Sequence, residues 1–253
     1  MSENIIFNIV KKYKKILTIF SVFLIFFIIF LSLNIIYHPY LLENQSFSKA
    51  VFDRNGKLLK LTLNKDDKYK LFVPLNQIPE DFKKSVILYE DKYFYYHFGF
   101  NPFSLFRAFF SLFGGRRLGA STITMQVARL TNDMNTKTII GKFRQIIKAI
   151  QIEMFYSKDD ILEAYLNLVP YGHNIEGVGA ASLIYFNNEV KNLSISEILA
   201  LSVIPQNPTK RVPTNPEGFK TMMEMREMLA NKWFVDKEKD LLPIQVGINL
   251  PSE

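Results

Sequence analysis

The spacing of hydrophobic positions changes along the chain. From Ile16 to Ile36 the run ILTIFSVFLIFFIIFLSLNII carries no charge, and as a helix it would extend roughly 30 Å, the depth of a bilayer core. A transmembrane helix is therefore predicted. The flank Tyr37-His38-Pro39-Tyr40 offers no small-residue cleavage site, so a removable signal peptide fits less well. Lys11, Lys12, Lys14 and Lys15 lie just before the run, and by the positive-inside rule the N-terminus is cytoplasmic and everything after residue 36 is outside. In residues 47–63 apolar and polar positions alternate around Asn55-Gly56, which predicts a short β-hairpin. From Pro79 onward the spacing is helical: FKKSVILYEDKYFYYHF, NPFSLFRAFFSLF, STITMQVARLTNDM, KTIIGKFRQIIKAIQIEMFY, KDDILEAYLNLV and ISEILALSVI carry apolar residues at steps of three and four. Gly114-Gly115, Pro170-Tyr171-Gly172 and the stretch from Pro205 to Pro216 read as linkers. The expected organisation is a cytoplasmic N-terminus at 1–15, a transmembrane helix at 16–36, a juxtamembrane segment with the hairpin at 37–80, one mainly α domain at 81–236 and a C-terminal tail at 237–253.

Composition narrows the partners. The formal net charge of +7 favours anionic ligands such as lipid headgroups or phosphates. ATP and genomic DNA are not normally available outside the membrane, so no nucleic-acid partner is expected. Cysteine is absent, which excludes disulfides and thiolate metal sites. His38, His97 and His173 are far apart and form no HExxH-type pattern. Phe103, Phe106, Phe109, Phe110 and Phe113 crowd one helical segment; most are expected in the core, with an exposed subset free to dip into lipid.

Glu90-Asp91 stands in an otherwise apolar and aromatic segment, ILYEDKYFYYHFG. A carboxylate against apolar walls has its pKa raised toward the range of a useful general base. Taken alone, the pair reads equally as solvent-facing or as partnered by Lys92. The surrounding strings go further. EDKYFYYHFG at 90–99, GASTITMQ at 119–126, KDDILEAYLN at 158–167, YGHNIEGVGAASLIYF at 171–186 and LSVIPQNP at 201–208 resemble, in order and spacing, the motifs of glycosyltransferase family 51. This is the transglycosylase module of class A penicillin-binding proteins, whose first signature is ED..F..H.G.

The resemblance implies a lysozyme-like, mainly α glycosyltransferase domain with a small β-hairpin, behind one transmembrane helix. It implies a peptidoglycan glycosyltransferase that polymerises lipid II by inverting transfer and releases undecaprenyl pyrophosphate. Such chemistry needs a base for the attacking hydroxyl and cations for the leaving group. Glu90 matches the family's base position. Lys142 and Arg129 match its usual basic positions, and Arg144 lies in the same pyrophosphate-binding region; Arg116 and Arg117 read equally as surface charges. Ser121, Thr122, Gln126 and Gln145 offer neutral hydrogen bonds to sugar and phosphate oxygens, while Ser121 or Thr122 also suits a helix N-cap. Asp91, His97, Glu163 and Asn167 are expected to support the site, with Lys158 and Tyr165 in a mostly structural motif. Glu163 and Asn167 stand four apart on one helical face. The implied partners are lipid II, the growing glycan chain and membrane lipid, with penicillin-binding transpeptidases and cell-wall complex proteins beside them. The implied location is the outer face of the cytoplasmic membrane.

The sequence departs from the family where RK..E is usual: residues 141–145 read GKFRQ. Lysine is kept, but Gln145 replaces a carboxylate and contributes no charge to a metal ion or base. Glu153 substitutes poorly on a continuous helix, about 12 Å along from Gln145 and roughly 80° around. No tightly bound cofactor is implied, and Mg²⁺ or Mn²⁺ stays open. The resemblance also leads to the expectation of a monofunctional form, the alternative being a truncated bifunctional protein. The rival readings are a catalytically impaired lipid II-binding scaffold, motivated by Gly141 and Gln145, and a lysozyme-like hydrolase, which the basic segment disfavours.

Overall fold

The computed structural model describes residues 13–26, 28–29, 41–56, 58–103, 121–132, 134–136, 138–233 and 241–249. The chain divides into two compact units, Met1–Tyr40 and Leu41–Glu253. In the first, residues 13–26 are helical and their apolar side chains, Phe20, Phe23 and Phe26 among them, are exposed. Among the described residues no helix is long and apolar enough to cross a membrane. Of the span expected at 16–36, residues 27 and 30–36 lie outside the described residues, as do Phe106, Phe109, Phe110, Phe113, Gly114-Gly115, Arg116 and Arg117.

The second unit is mainly helical, and local chemistry sets where each helix begins. Helix α1 (Glu80–Glu90) opens with Glu80 and Asp81 in its first turn, matching carboxylates to the positive end of the helix dipole. Helix α2 is Ile123–Asn132, and α3 (Ile139–Phe155) starts at Thr138, whose hydroxyl accepts from Gly141 N at 3.0 Å. Helices α4 (Lys158–Leu168) and α6 (Ile195–Val203) each begin with a reciprocal capping box, Ser157 with Asp160 and Ser194 with Glu197. Between them α5 (Val178–Phe186) reads VGAASLIYF and is buried from Val178 to Tyr185. A helix with no polar face belongs at the centre of a domain. Helix α6 packs against α1 and α7 (Pro216–Trp233), and α2 packs against α3 and α4.

The expected hairpin is present. Strand β1 (Ala50–Phe52) pairs antiparallel with β2 (Leu58–Leu61) across a turn in which Gly56 has φ +81°. A second sheet of order β3-β5-β4, formed by Tyr69–Lys70, Ile175–Glu176 and Pro170–Gly172, was not legible in the sequence. Its strands are too short to show a period of two.

This sheet corrects the expected boundaries. β3 runs parallel to β5, and Lys70 and Lys68 both pair with Glu176. Asn167 receives Val73 N–H at 2.8 Å and returns its amide to Val73 O at 2.9 Å, while Glu163 accepts from Leu75 N at 2.8 Å. An added Cβ on Gly179 would lie 2.5 Å from Leu71 O, so residues 71–75 cross directly over the central helices. The segment 41–80 is thus part of the domain. Pro170-Tyr171-Gly172 is a buried strand and no linker; the stretch from Pro205 to Pro216 likewise holds buried Arg211, Val212 and Pro213. The tail folds back as well, with Gly247 N donating to Tyr185 O and Asn249 N to Ile184 O.

Candidate active site

Each fixed position of the ED..F..H.G string has a task in the fold. Asp91 caps the end of α1, and its Oδ2 accepts from Ile123 N at 3.0 Å and pairs with His97 Nε2 at 2.9 Å. One carboxylate therefore fastens the end of α1 to the start of α2 and orients the imidazole. Phe94 is fully buried, with the Lys158 ammonium 4.6 Å from its ring centre. Lys158 also donates to His97 O at 2.8 Å and to Glu153 Oε1 at 2.6 Å. Gly99 has φ +82°, and a Cβ there would stand 2.8 Å from the Ala149 carbonyl group of α3, so only glycine fits both the backbone and the packing.

These contacts leave Glu90 as the carboxylate of the string that does not brace the fold. Gln126 Nε2, from α2, donates to its Oε2 at 2.8 Å, while Oε1 is enclosed and has no hydrogen-bond partner among the described residues. Burial pushes the Glu90 carboxyl up; the Gln126 hydrogen bond and then the Arg211 guanidinium oppose this, and Asp91 adds to it. A carboxyl with one oxygen fixed and the other free of partners is arranged to accept a proton.

The sequence reading missed Arg211. It is buried, donates through Nη1 to Tyr89 Oη at 2.7 Å and Val203 O at 2.5 Å, and through Nη2 to Gln206 Oε1 at 2.9 Å. The signal was an arginine between Pro208 and Pro213, in a stretch that reads as a linker.

The second half of the site stands on the same helix. Gln126 and Arg129 are three apart in α2 and partly exposed, whereas Ile123, Thr124, Met125, Val127 and Ala128 are buried. Across from them, Lys142 of α3 donates to Ser121 Oγ at 2.6 Å and Gln145 Oε1 at 3.0 Å. Its pKa is lowered, first by burial and then by the neighbouring Arg129 charge. Among the described residues neither cation forms an ion pair with a carboxylate. Two nearby cations, one half-buried and held by neutral partners, form a place for an anion.

Other expected ligands take different places. Thr122 is 3% exposed; its hydroxyl donates to Gly99 O at 2.6 Å and accepts from Met125 N at 3.1 Å, which makes it the cap of α2 and not a lining group. Gln145 is 1% exposed and donates to Met125 O at 2.5 Å, so it holds Lys142 instead of reaching a ligand. Arg144 is exposed. Glu153 is taken by Thr124 Oγ1 at 2.6 Å and by Lys158. Glu163 and Asn167 brace the 73–75 segment from α4. Among the described residues no three His, Asp or Glu groups converge to hold a metal ion. Lys142 and Gln145, a cation and a neutral amide, do not fit a divalent cation.

The transglycosylase family profile matches residues 55–232. Penicillin-binding protein 1C of Escherichia coli K12 is 36% identical over 208 residues, covering 80% of this chain and 27% of its own length. Penicillin-binding protein 1F of Bacillus subtilis 168 is 40% identical over 173 residues, 66% of this chain and 23% of its own. The chain spans about a quarter of the length of these curated relatives. A crystal structure of penicillin-binding protein 1A from Haemophilus influenzae aligns with 80% of this chain and 21% of that one, at TM-score 0.42 and 17% identity. With the family match covering most of the described domain, the chain belongs to the transglycosylase family, the glycosyltransferase family 51 module of class A penicillin-binding proteins.

Proposed function

We propose that this chain is a peptidoglycan glycosyltransferase that polymerises lipid II on the outer face of the cytoplasmic membrane, anchored by the apolar segment at 16–36. Glu90 is the general base. It takes the proton of the acceptor sugar's 4-hydroxyl as that oxygen bonds to the anomeric carbon of the growing chain. The anomeric carbon–oxygen bond breaks on the opposite side, and its electron pair leaves with undecaprenyl pyrophosphate, inverting the centre. Lys142 and Arg129 stabilise the charge on the departing pyrophosphate, with exposed Arg144 at the rim. Ser121 and Gln126 line the path between base and cations. Penicillin-binding transpeptidases and other cell-wall proteins are the partners that would use the product.

The observation carrying this reading is that α2 joins the two halves of the reaction: Gln126 holds one oxygen of Glu90, and one turn further on Arg129 is close enough for its charge to lower the Lys142 pKa. A hydrolase has no use for that cation pair. The test is polymerisation of purified lipid II by the full chain beside Glu90→Gln, with and without added Mg²⁺ or Mn²⁺. Glycan strands from the wild type, none from the variant and no dependence on added metal are expected. Intact lipid II binding with no polymer under any condition would refute the enzyme and leave a lipid II-binding scaffold.

A further inference from the structure

Helix α3 has two unlike faces. Gly141, Gln145, Ala149 and Ile152 are buried, at the steps of three and four expected of a core-facing side. Almost opposite them Ile140 is 69% exposed, Phe143 63% and Ile147 44%, and Met154 continues the row. At about 100° per residue the four fall within an arc of roughly 60°, and from Ile140 to Met154 the row runs about 21 Å along the helix. Single exposed apolar residues need no explanation, but a stripe of this length on the outside of a domain does.

The charges beside the stripe share one sign. Arg144 is exposed and Lys148 half-buried, both on its flank. The acidic residue of α3, Glu153, is buried and taken by Thr124 and Lys158. The outer face of the helix therefore offers hydrocarbon and cations without a carboxylate. Gly99 packs its backbone against Ala149 and Ile150, which brings the adjoining, exposed Phe98 to the same helix. A second copy of this chain seated on the stripe would set these cations against their own kind, whereas a bilayer with anionic headgroups answers both the apolar row and its charged edge.

We infer that α3 lies along the surface of an anionic bilayer, with Ile140, Phe143, Ile147 and Met154 in the acyl region and Arg144 and Lys148 at the headgroup phosphates. The inference rests on the membrane location of the proposed function. Lys142 leaves the same helix roughly 130° around from the stripe, where it meets Ser121 and Gln145. A helix about 10 Å across then holds Lys142 within about its own diameter of the lipid. A pyrophosphate whose tail remains in the bilayer meets the cation at that height, so α3 is both a wall of the site and the surface that sets its level.

The absence of cysteine allows one environment-sensitive label per chain. Phe143→Cys, Ile147→Cys and, as a control on an exposed site elsewhere, Lys191→Cys are labelled in the full chain and reconstituted in liposomes of phosphatidylglycerol and phosphatidylethanolamine, with and without a nitroxide on the acyl chain. Labels at 143 and 147 should shift to the blue and lose emission to the nitroxide, while the label at 191 does neither. Labels at 143 and 147 that behave like the one at 191 overturn the inference, as does shielding from water that depends on protein density and not on the nitroxide, which identifies a second copy as the occupant. Equal quenching in phosphatidylcholine alone overturns the part given to Arg144 and Lys148. The variant Phe143→Ser/Ile147→Ser should polymerise membrane-held lipid II roughly tenfold more slowly and a water-soluble, short-chain lipid II at the wild-type rate; equal slowing with both substrates counts against a lipid contact. Quenched labels on a chain that makes no polymer from either substrate keep this inference and refute the enzyme.

Discussion

Asp91→Ala provides a quantitative test of how the site is assembled. The carboxylate accepts from Ile123 N, the first residue of α2, and from His97 Nε2. Ile123 is fully buried, so its amide finds no water when the acceptor is removed. An orphaned buried donor costs about 1–3 kcal/mol, and loss of a negative charge from a helix N-terminus adds about 0.3–1 kcal/mol. His97, whose Nδ1 already lacks a partner, is left with no hold on either ring nitrogen, which places the total at about 2–4 kcal/mol. For a domain of this size the melting temperature should fall by roughly 4–16 °C. Circular dichroism at a helical wavelength on the detergent-solubilised chain measures this directly. Asp91→Asn keeps one oxygen for Ile123 and should cost only about 1 kcal/mol. Polymerisation by Asp91→Ala should fall further than stability requires, because the peptide that aims Glu90 is next in the chain. An Asp91→Ala protein that melts within about 2 °C of the wild type would refute the bracket argument, since even the lowest contribution would then be missing.

Further outcomes follow from the charges. Burial raises the folded-state pKa of Glu90 above its ordinary value of 4.5, so at pH values between the two the folded protein binds more of a proton there than the unfolded chain does. The stability this group contributes is complete below the unfolded value and is lost as pH rises through the raised folded value. Glu90→Gln should therefore melt higher than the wild type at neutral pH and lose that advantage on acidification into the unfolded carboxylate range; equal melting curves at every pH would count against a buried carboxylate. At the other half of the site, Lys142→Met should abolish polymer formation, whereas Arg129→Gln should weaken lipid II binding about tenfold for a lost phosphate contact. The same Arg129→Gln change removes a repulsion that lowers the Lys142 pKa, so the alkaline limb of the rate profile should move to higher pH; an unmoved limb would show that the cations do not act on each other.

What the sequence disclosed depended on how far apart the interacting residues are. The hairpin was legible because Asn55-Gly56 and its flanks are adjacent in the chain. The β3-β5 pairing joins residues 69–70 to 175–176, and nothing in two residues announces such a partner. For the same reason residues 37–80 read as a juxtamembrane segment with a hairpin, separate from the domain, although Val73 and Leu75 are held by Asn167 and Glu163 across the fold. The candidate site divides in the same way. The Glu90-Asp91 string could be read as a unit, but the separate work of its members appears only when Ile123 and Gln126 are brought against it. Arg211 was hidden by its setting among prolines, which mark both flexible linkers and tightly turned buried segments. Thr122 and Gln145 were polar residues in a motif region, and only burial distinguishes a group that touches a ligand from one that holds its neighbour.

The departure at residues 141–145 acquires a physical reading from the same contacts. A decayed motif would leave behind polar groups that lost their partners. Here an added Cβ at Gly141 would lie 1.9 Å from Asn135 O, so the loop before α3 packs directly on the position that usually bears arginine. Gln145 uses both ends of its amide, one on Met125 O and the other on Lys142 Nζ. A glutamate in that place would present an oxygen to the Met125 carbonyl, where only a donor fits. The glycine and the glutamine are thus each suited to the packing of α3 against α2 and the loop before it, and their effect is to hold Lys142 against Ser121 beside Arg129. With the usual carboxylate and arginine absent, the retained lysine still has two neutral acceptors and a third N–H to offer an anion.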